Sequence, residues 1–146
     1  MKTAILYYTF GGATKKEAER MARELGAVSY RVFEARKRSL IGSFIPGGLQ
    51  AMHRKAVKIK PLGAELAGFD RIVIGCPVWA AYPAPAFNSI VELLPAGKEV
   101  ELFFCEGGSD PLADEEGTKA LVEKRGCKVV SCRVVSTGEK PSKLKE

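Results

Sequence analysis

Apolar and polar positions alternate along the chain at two different periods, and each change of period marks an element. Ala4-Ile5-Leu6-Tyr7-Tyr8 is a short unbroken apolar run, the pattern of a strand buried on both faces. Ala18, Met21, Ala22 and Leu25 then recur at i, i+3, i+4 and i+7, one face of a helix, and Gly26 ends it. Val28 to Phe33 predicts a second strand, and Arg71 to Cys76 a third and most hydrophobic one. Phe87, Ile90, Val91 and Leu94 return to the helical spacing before Pro95 stops it, and Val100 to Cys105 predicts a fourth strand. Asp110-Pro111 predicts an N-cap followed by proline at the first helical position, with Asp114, Glu115 and Glu116 suited to the positive end of the helix dipole. Gly126 closes that helix, and Lys128 to Val135 predicts a fifth strand.

Strands separated by helices of roughly ten to fifteen residues imply parallel pairing through crossovers, with helices on both faces of the sheet. Five strands at this spacing match a doubly wound α/β sheet of order 2-1-3-4-5. Its ligands sit beyond the strand carboxyl ends, at the switch between strands one and three. The 146 residues form one domain, 1–146, with no internal repeat or linker and a short polar tail, 139–146.

Charge changes the picture at one place. Lys plus Arg number 23 against 17 Asp plus Glu, a net +6 that brings nucleic acid and acidic partners into view. Residues 31–60 carry eight basic side chains against Glu34 alone, a net +7, so the rest of the chain is slightly acidic. Within it, segment 39–60 joins strands two and three. Its stretch 39–52 holds Leu40, Ile41, Phe44, Ile45, Leu49 and Met52 between basic clusters. A lid, a dimer contact, a docking patch and a local helix pair packed on the sheet are all open for it. Few aromatics stand near the cations and no recognition motif accompanies them, so an acidic protein partner is expected rather than nucleic acid. No apolar run reaches the length of a membrane span, and the amino-terminal residues lack a signal's long apolar core, which together predict a cytoplasmic protein. Cys76, Cys105, Cys127 and Cys132 form no CxxC pair and His53 is the single histidine, which disfavours zinc and fits a reducing compartment.

Two loops at the expected ligand end carry candidate chemistry. Tyr8-Thr9-Phe10-Gly11-Gly12-Ala13-Thr14 joins the first strand to the first helix. Its glycines allow a tight turn, Thr9 and Thr14 offer hydroxyls, and the helix start adds N–H groups and partial positive charge, which are the parts of a phosphate cradle. It is neither a Walker loop nor a GxGxxG fingerprint. Gly75-Cys76-Pro77-Val78-Trp79 follows the third strand and leads to Tyr82-Pro83-Ala84-Pro85. Trp79 and Tyr82 offer flat faces to a heterocycle, although an isolated tryptophan is as readily a core residue.

These residues resemble the flavodoxin family. Thr9 to Thr14 is similar to the Ser/Thr-x-Thr-Gly-x-Thr phosphate loop, and Gly75-Cys76-Pro77-Val78-Trp79 with Pro83-Ala84-Pro85 to the flavin loop. Phe104-Cys105-Glu106-Gly107-Gly108-Ser109 is similar to the family's second ring-contacting loop. The resemblance covers essentially the whole chain. It implies the flavodoxin-like five-stranded sheet and bound FMN. The phosphate would rest on Thr9, Phe10, Gly11, Gly12, Ala13 and Thr14, and the ring against Pro77, Val78 and Trp79 and near Cys105, Glu106, Gly107 and Gly108. It also implies electron shuttling between redox partners, with no catalytic residue and no metal. An FMN-dependent NAD(P)H oxidoreductase of quinone-reductase type and a cofactor-free interaction module are the alternatives, and a homo-oligomer is compatible with each. The chain departs from the family in three ways. Gly11 and Ala13 replace a hydroxyl and an amide, the fourth-strand loop lacks a tyrosine, and the balance is basic where electron-carrying members are acidic. Cys76 and Cys105, at the ends of neighbouring strands, are expected to lie close together, as two buried thiols or as a redox disulfide. Cys127 and Cys132, five apart on a strand, are expected on opposite faces.

Overall fold

A computed structural model describes residues 1–36, 46–107 and 112–137. The strands are β1 (Thr3–Tyr7), β2 (Val28–Arg31), β3 (Arg71–Trp79), β4 (Tyr82–Pro83), β5 (Glu99–Glu106) and β6 (Lys128–Ser136). The helices are α1 (Ala13–Leu25), α2 (Pro46–Met52), α3 (Pro85–Glu92) and α4 (Glu115–Glu123), with a 3₁₀ turn at Leu66–Gly68. The sheet runs β2-β1-β3-β5-β6, and all four of these pairings are parallel. It has six strands rather than the expected five, because β4 turns back antiparallel on the end of β3. With that short strand set aside, the parallel strands lie in the expected doubly wound succession.

The apolar runs are explained by what covers each face. Ile5, Tyr7, Val73, Phe103 and Cys105 face α1, which buries Ala18 and Met21 against them. Leu6, Ile72, Ile74, Leu102 and Phe104 face the other way, onto Phe87 and Ile90 of α3 and Val122 of α4. Burial on both faces is why these strands show no alternation in the sequence. Gly75 is the one gap in β3, and it is filled from the neighbouring strand. A β-carbon there would stand 2.0 Å from Cζ of Phe103, whose ring crosses the position.

Several expected boundaries move. β2 ends at Arg31, not Phe33, and β3 continues to Trp79. The expected cap Asp110 lies outside the described residues, as does Pro111. The helix begins instead after Asp114, whose carboxylate accepts the Gly117 N–H at 3.1 Å. Of the segment between β2 and β3, residues 37–45 lie outside the description, including Lys37, Arg38 and the apolar Leu40, Ile41, Phe44 and Ile45. The described part holds α2, with Ala51 buried and Leu49 and Met52 exposed. The chain then runs back along α3, where the Asn88 amide donates to the Lys55 carbonyl at 3.2 Å and Ser89 both accepts from and donates to the Val57 backbone. The polar tail 139–146 also lies outside the described residues.

Candidate functional site

β1, β3 and β5 are parallel, so the three loops singled out above leave the sheet at one end. The first continues β1: the Tyr8 N–H donates to the Gly75 carbonyl at 3.0 Å, and Thr9 is buried with its Oγ1 accepting the Gly12 N–H at 3.0 Å. Gly12 takes φ +101°, a left-handed turn that brings the chain directly into α1. No side chain caps that helix and no acidic residue stands in its first turn, where Lys15 and Lys16 follow Thr14. The first N–H groups of a helix lack intrahelical partners, and the dipole there favours negative charge. The first turn of α1 thus carries two lysines and no acidic side chain to offset the positive end of the dipole. Gly11 and Ala13 contribute no side-chain donor, so the polar groups of this turn are its backbone N–H groups and the Thr9 and Thr14 side chains.

The second loop is a hairpin. β3 and β4 pair through Trp79 and Tyr82, and the two residues between them, Ala80 and Ala81, take φ +51° and +70°. Trp79 is 8% exposed and packs edge-to-face against Tyr8 at 5.9 Å and Phe10 at 5.8 Å between ring centroids. The tryptophan is thus packed as a core residue, a wall joining the first loop to the second. Pro77 and Val78 remain partly exposed beside it.

The third loop starts where Cys105 lies in register with Pro77. Its exit is fastened: the Glu106 carbonyl accepts the Thr137 N–H at 3.0 Å and the Thr137 hydroxyl at 3.2 Å. Glu106 and Gly107 are partly exposed, and Gly108 lies outside the described residues. The structure therefore gathers Thr9–Thr14, Pro77–Trp79 and Cys105–Gly107 at one end of three adjacent strands.

None of the four cysteines forms a disulfide. Cys76 belongs to the cluster on the α3 side and Cys105 to the cluster on the α1 side. Neighbours along the sheet but on opposite faces, they are not placed to form the redox disulfide. Burial also pushes the Cys76 thiol far above its ordinary range, which keeps it protonated and unreactive. Cys127 and Cys132, expected on opposite faces, both pack on the α3 side. The pairing with β5 skips Val130, and that irregularity reverses the alternation between the two cysteines.

One residue of the basic segment works inside the fold. Arg54 donates to Thr118 Oγ1 at 3.0 Å, to the Asp114 carbonyl at 3.2 Å and to Asp114 Oδ2 at 3.1 Å. Its guanidinium also lies 5.1 Å from the centroid of the Tyr82 ring. Arg54 thus ties the end of α2 to the hairpin and to the start of α4. Its partners in α4 are 60 to 64 residues away in the chain, and no local pattern marks such a link.

No family model matches the chain. An uncharacterized protein of Archaeoglobus fulgidus is 26% identical over 145 residues, covering 97% of this chain and 93% of that one. A flavoprotein from Lactobacillus acidophilus, solved in complex with FMN, superposes with a TM-score of 0.77 at 25% identity over 91% of this chain and 92% of its own. The fold is that of the flavodoxin-like flavoproteins. The two-electron reduced flavodoxin of Megasphaera elsdenii has the same fold at greater distance, with a TM-score of 0.54 and 19% identity over 91% and 85% of the two chains. In the flavodoxin-like frame the three loops stand at the switch point of the sheet, where β1 has β2 on one side and β3 on the other.

Proposed function

We propose that the protein binds FMN at these three loops and works as an electron carrier. The observation that carries this reading is the start of α1, uncapped and without an acid, directly beside the ends of β3 and β5. The FMN-bound flavoprotein of the same fold supports it. Backbone N–H groups of the Phe10–Thr14 turn other than that of Gly12, which Thr9 Oγ1 accepts, would hold the phosphate together with the Thr9 and Thr14 hydroxyls. Pro77 and Val78, backed by Trp79, and Cys105 to Gly107 would border the ring. When bound, the flavin supplies the one- and two-electron chemistry. The chain's own part is to fix the phosphate, keep water from the apolar side of the ring, and hold the loops in place through the Thr137 and Arg54 hydrogen bonds.

The test is an FMN titration with a visible spectrum. Purified protein is expected to quench FMN fluorescence and acquire a flavin spectrum. Ala13→Asp puts a carboxylate in the first turn of α1. It should leave the flavin-free protein as stable as before, since acids suit that position, yet weaken FMN binding at least about tenfold by repelling the phosphate. Unchanged affinity would sink the phosphate-loop assignment. Mixing the loaded protein with NADPH separates carrier from reductase: rapid direct flavin reduction would favour the enzyme.

A further inference from the structure

β6 closes the sheet on one side, and its outer edge has no strand beside it among the described residues. Its ladder partners all lie in β5, so alternate N–H and carbonyl groups along the other edge point away from the sheet. β2, the opposite edge, has four residues, and the stretch after it is bonded to residues 58–60. β6 has nine, about 30 Å of strand. Short strands, prolines and inward-pointing charges ordinarily protect an edge. β6 has no proline, and its interior charge, Arg133, is bonded to Glu17 at 2.6 Å and lies over the Phe103 ring, away from the edge. The irregularity at Val130 is a guard at one end only, since Ser131 to Ser136 pair with β5 without interruption.

Sequence and charge limit what can cover this edge. Residues 138–146 carry five charged side chains, Pro141 and a single large apolar residue, Leu144, which is not the composition of a strand. Residues 114–136, which form α4 and β6, hold five basic and four acidic side chains, whereas 31–60 hold eight against one. Two copies of this basic chain therefore repel least where β6 faces β6. The strand is also complementary to itself. Laid antiparallel about a two-fold axis at Cys132, two copies pair along all nine residues, and any other centre leaves an end unpaired. In that register Val130, exposed at 37%, meets Val134, exposed at 42%, on both sides of the axis. Lys128 meets Ser136 and Arg133 meets Ser131, so no like charges stand opposite each other in the ladder.

We propose that the β6 edge is an interaction surface for a second copy of this chain, joined antiparallel through β6 into one continuous sheet. The strand offers about 30 Å by 10 Å and α4 about 13 Å by 10 Å, roughly 900 Å² over both copies, which suits a weak, exchanging dimer. Since the main strands of each copy are parallel, the two-fold axis points their carboxyl ends in opposite directions. The three loops of each copy then stand at opposite ends of the dimer, and both sets stay open to solvent. The proposal does not depend on the FMN reading.

The experiment follows sedimentation velocity of the full chain from micromolar to millimolar concentration, where a concentration-dependent dimer is expected. Two double variants test the strand pairing: Val130→Lys with Val134→Lys, and Val130→Glu with Val134→Glu. Both valines are exposed, so each variant should keep the wild-type circular dichroism spectrum. Each alone sets like charges opposite each other and should dimerise at least about tenfold more weakly than wild type. An equimolar mixture of the two sets opposite charges across the axis and should recover the dimer. The proposal is overturned if the wild type stays monomeric throughout, or if either variant alone dimerises as the wild type does, which would put the contact elsewhere. It is equally overturned if the mixture stays monomeric, because antiparallel pairing at this register requires the rescue. The measurement uses flavin-free protein, so a failure to bind FMN would refute the earlier reading and leave this one standing.

Discussion

At Gly75 the sheet has no room for a β-carbon, because the Phe103 ring from the adjoining strand crosses the site. The Phe103 side chain is fully buried between α1 and the sheet and has nowhere to retreat. Gly75→Ala should therefore destabilise the protein by about 1–3 kcal/mol, the usual cost of overpacking, measured as a fall in the urea midpoint. An unchanged midpoint would mean that the ring does not lie across Gly75. The sequence places this glycine beside the flavin-type motif, but its packing reason depends on a residue 28 positions away and is invisible there. Glu17 is a second residue whose surroundings define a measurement. Hydrogen bonds from Arg20, with Arg133 adding to them, hold its carboxyl down at about 2 against an ordinary 4.5. A carboxyl depressed in the folded state adds stability that is present above about 4.5 and lost as pH falls toward about 2. Urea midpoints followed through that window should drop less steeply for Glu17→Gln, which starts lower at neutral pH. Parallel curves for the two proteins would refute the pairing.

The β3–β4 hairpin shows how an element can be present without its usual signal. A two-residue turn with both central φ values positive ordinarily carries Asn-Gly, and this chain has Ala80-Ala81. Alanine in that region costs about 1–2 kcal/mol per residue, so Ala80→Asn with Ala81→Gly should stabilise the protein by about 1–2 kcal/mol in total. Thermal and urea denaturation would show it, and no gain at all would argue against the left-handed turn. What holds the alanines there lies elsewhere: the Ala81 carbonyl accepts the Ala113 N–H at 2.7 Å, and Arg54 lies on Tyr82. The same distinction runs through the fold. Strands β1, β3 and β5 and helix α1 were legible because burial and helical spacing leave local patterns. Asp114 rather than Asp110 caps α4, and both offer the same side chain to a sequence reader. The skipped Val130 leaves no mark in composition, yet it decides the face of Cys132. In the candidate site, the tight turn from Thr9 into α1 was legible from its glycines. Neither the burial of Trp79 between Tyr8 and Phe10 nor the Arg54 tie was, since both are made by distant elements meeting.

Across the whole molecule, the positive excess belongs to one crossing of the chain, and the fold divides that crossing into parts with different work. Arg54 is turned inward onto Asp114 and Thr118, and Arg31 and Lys60 lie against the Phe33 ring. Lys55 and Lys58 are exposed, on backbone pinned to α3 and to the 33–35 stretch, and so present fixed charge to solvent. On the same face of the sheet, α4 opens with Glu115 and Glu116, whose charge is only partly balanced by Lys119. Exposed charge fixed on a rigid backbone orients a charged partner before contact, and such steering acts on association rates more than on bound-state affinity. If the proposed electron transfer uses an acidic partner, Lys55→Gln with Lys58→Gln should slow second-order reduction by that partner severalfold at low ionic strength. Above about 0.1 M salt, where screening acts within about 10 Å, the two proteins should converge. FMN affinity and flavin potential serve as controls and should not move, since neither lysine belongs to the three loops. Equal rates and equal salt slopes would show that the basic crossing faces solvent and that the partner docks elsewhere. A change in flavin potential would instead place these lysines within electrostatic reach of the ring.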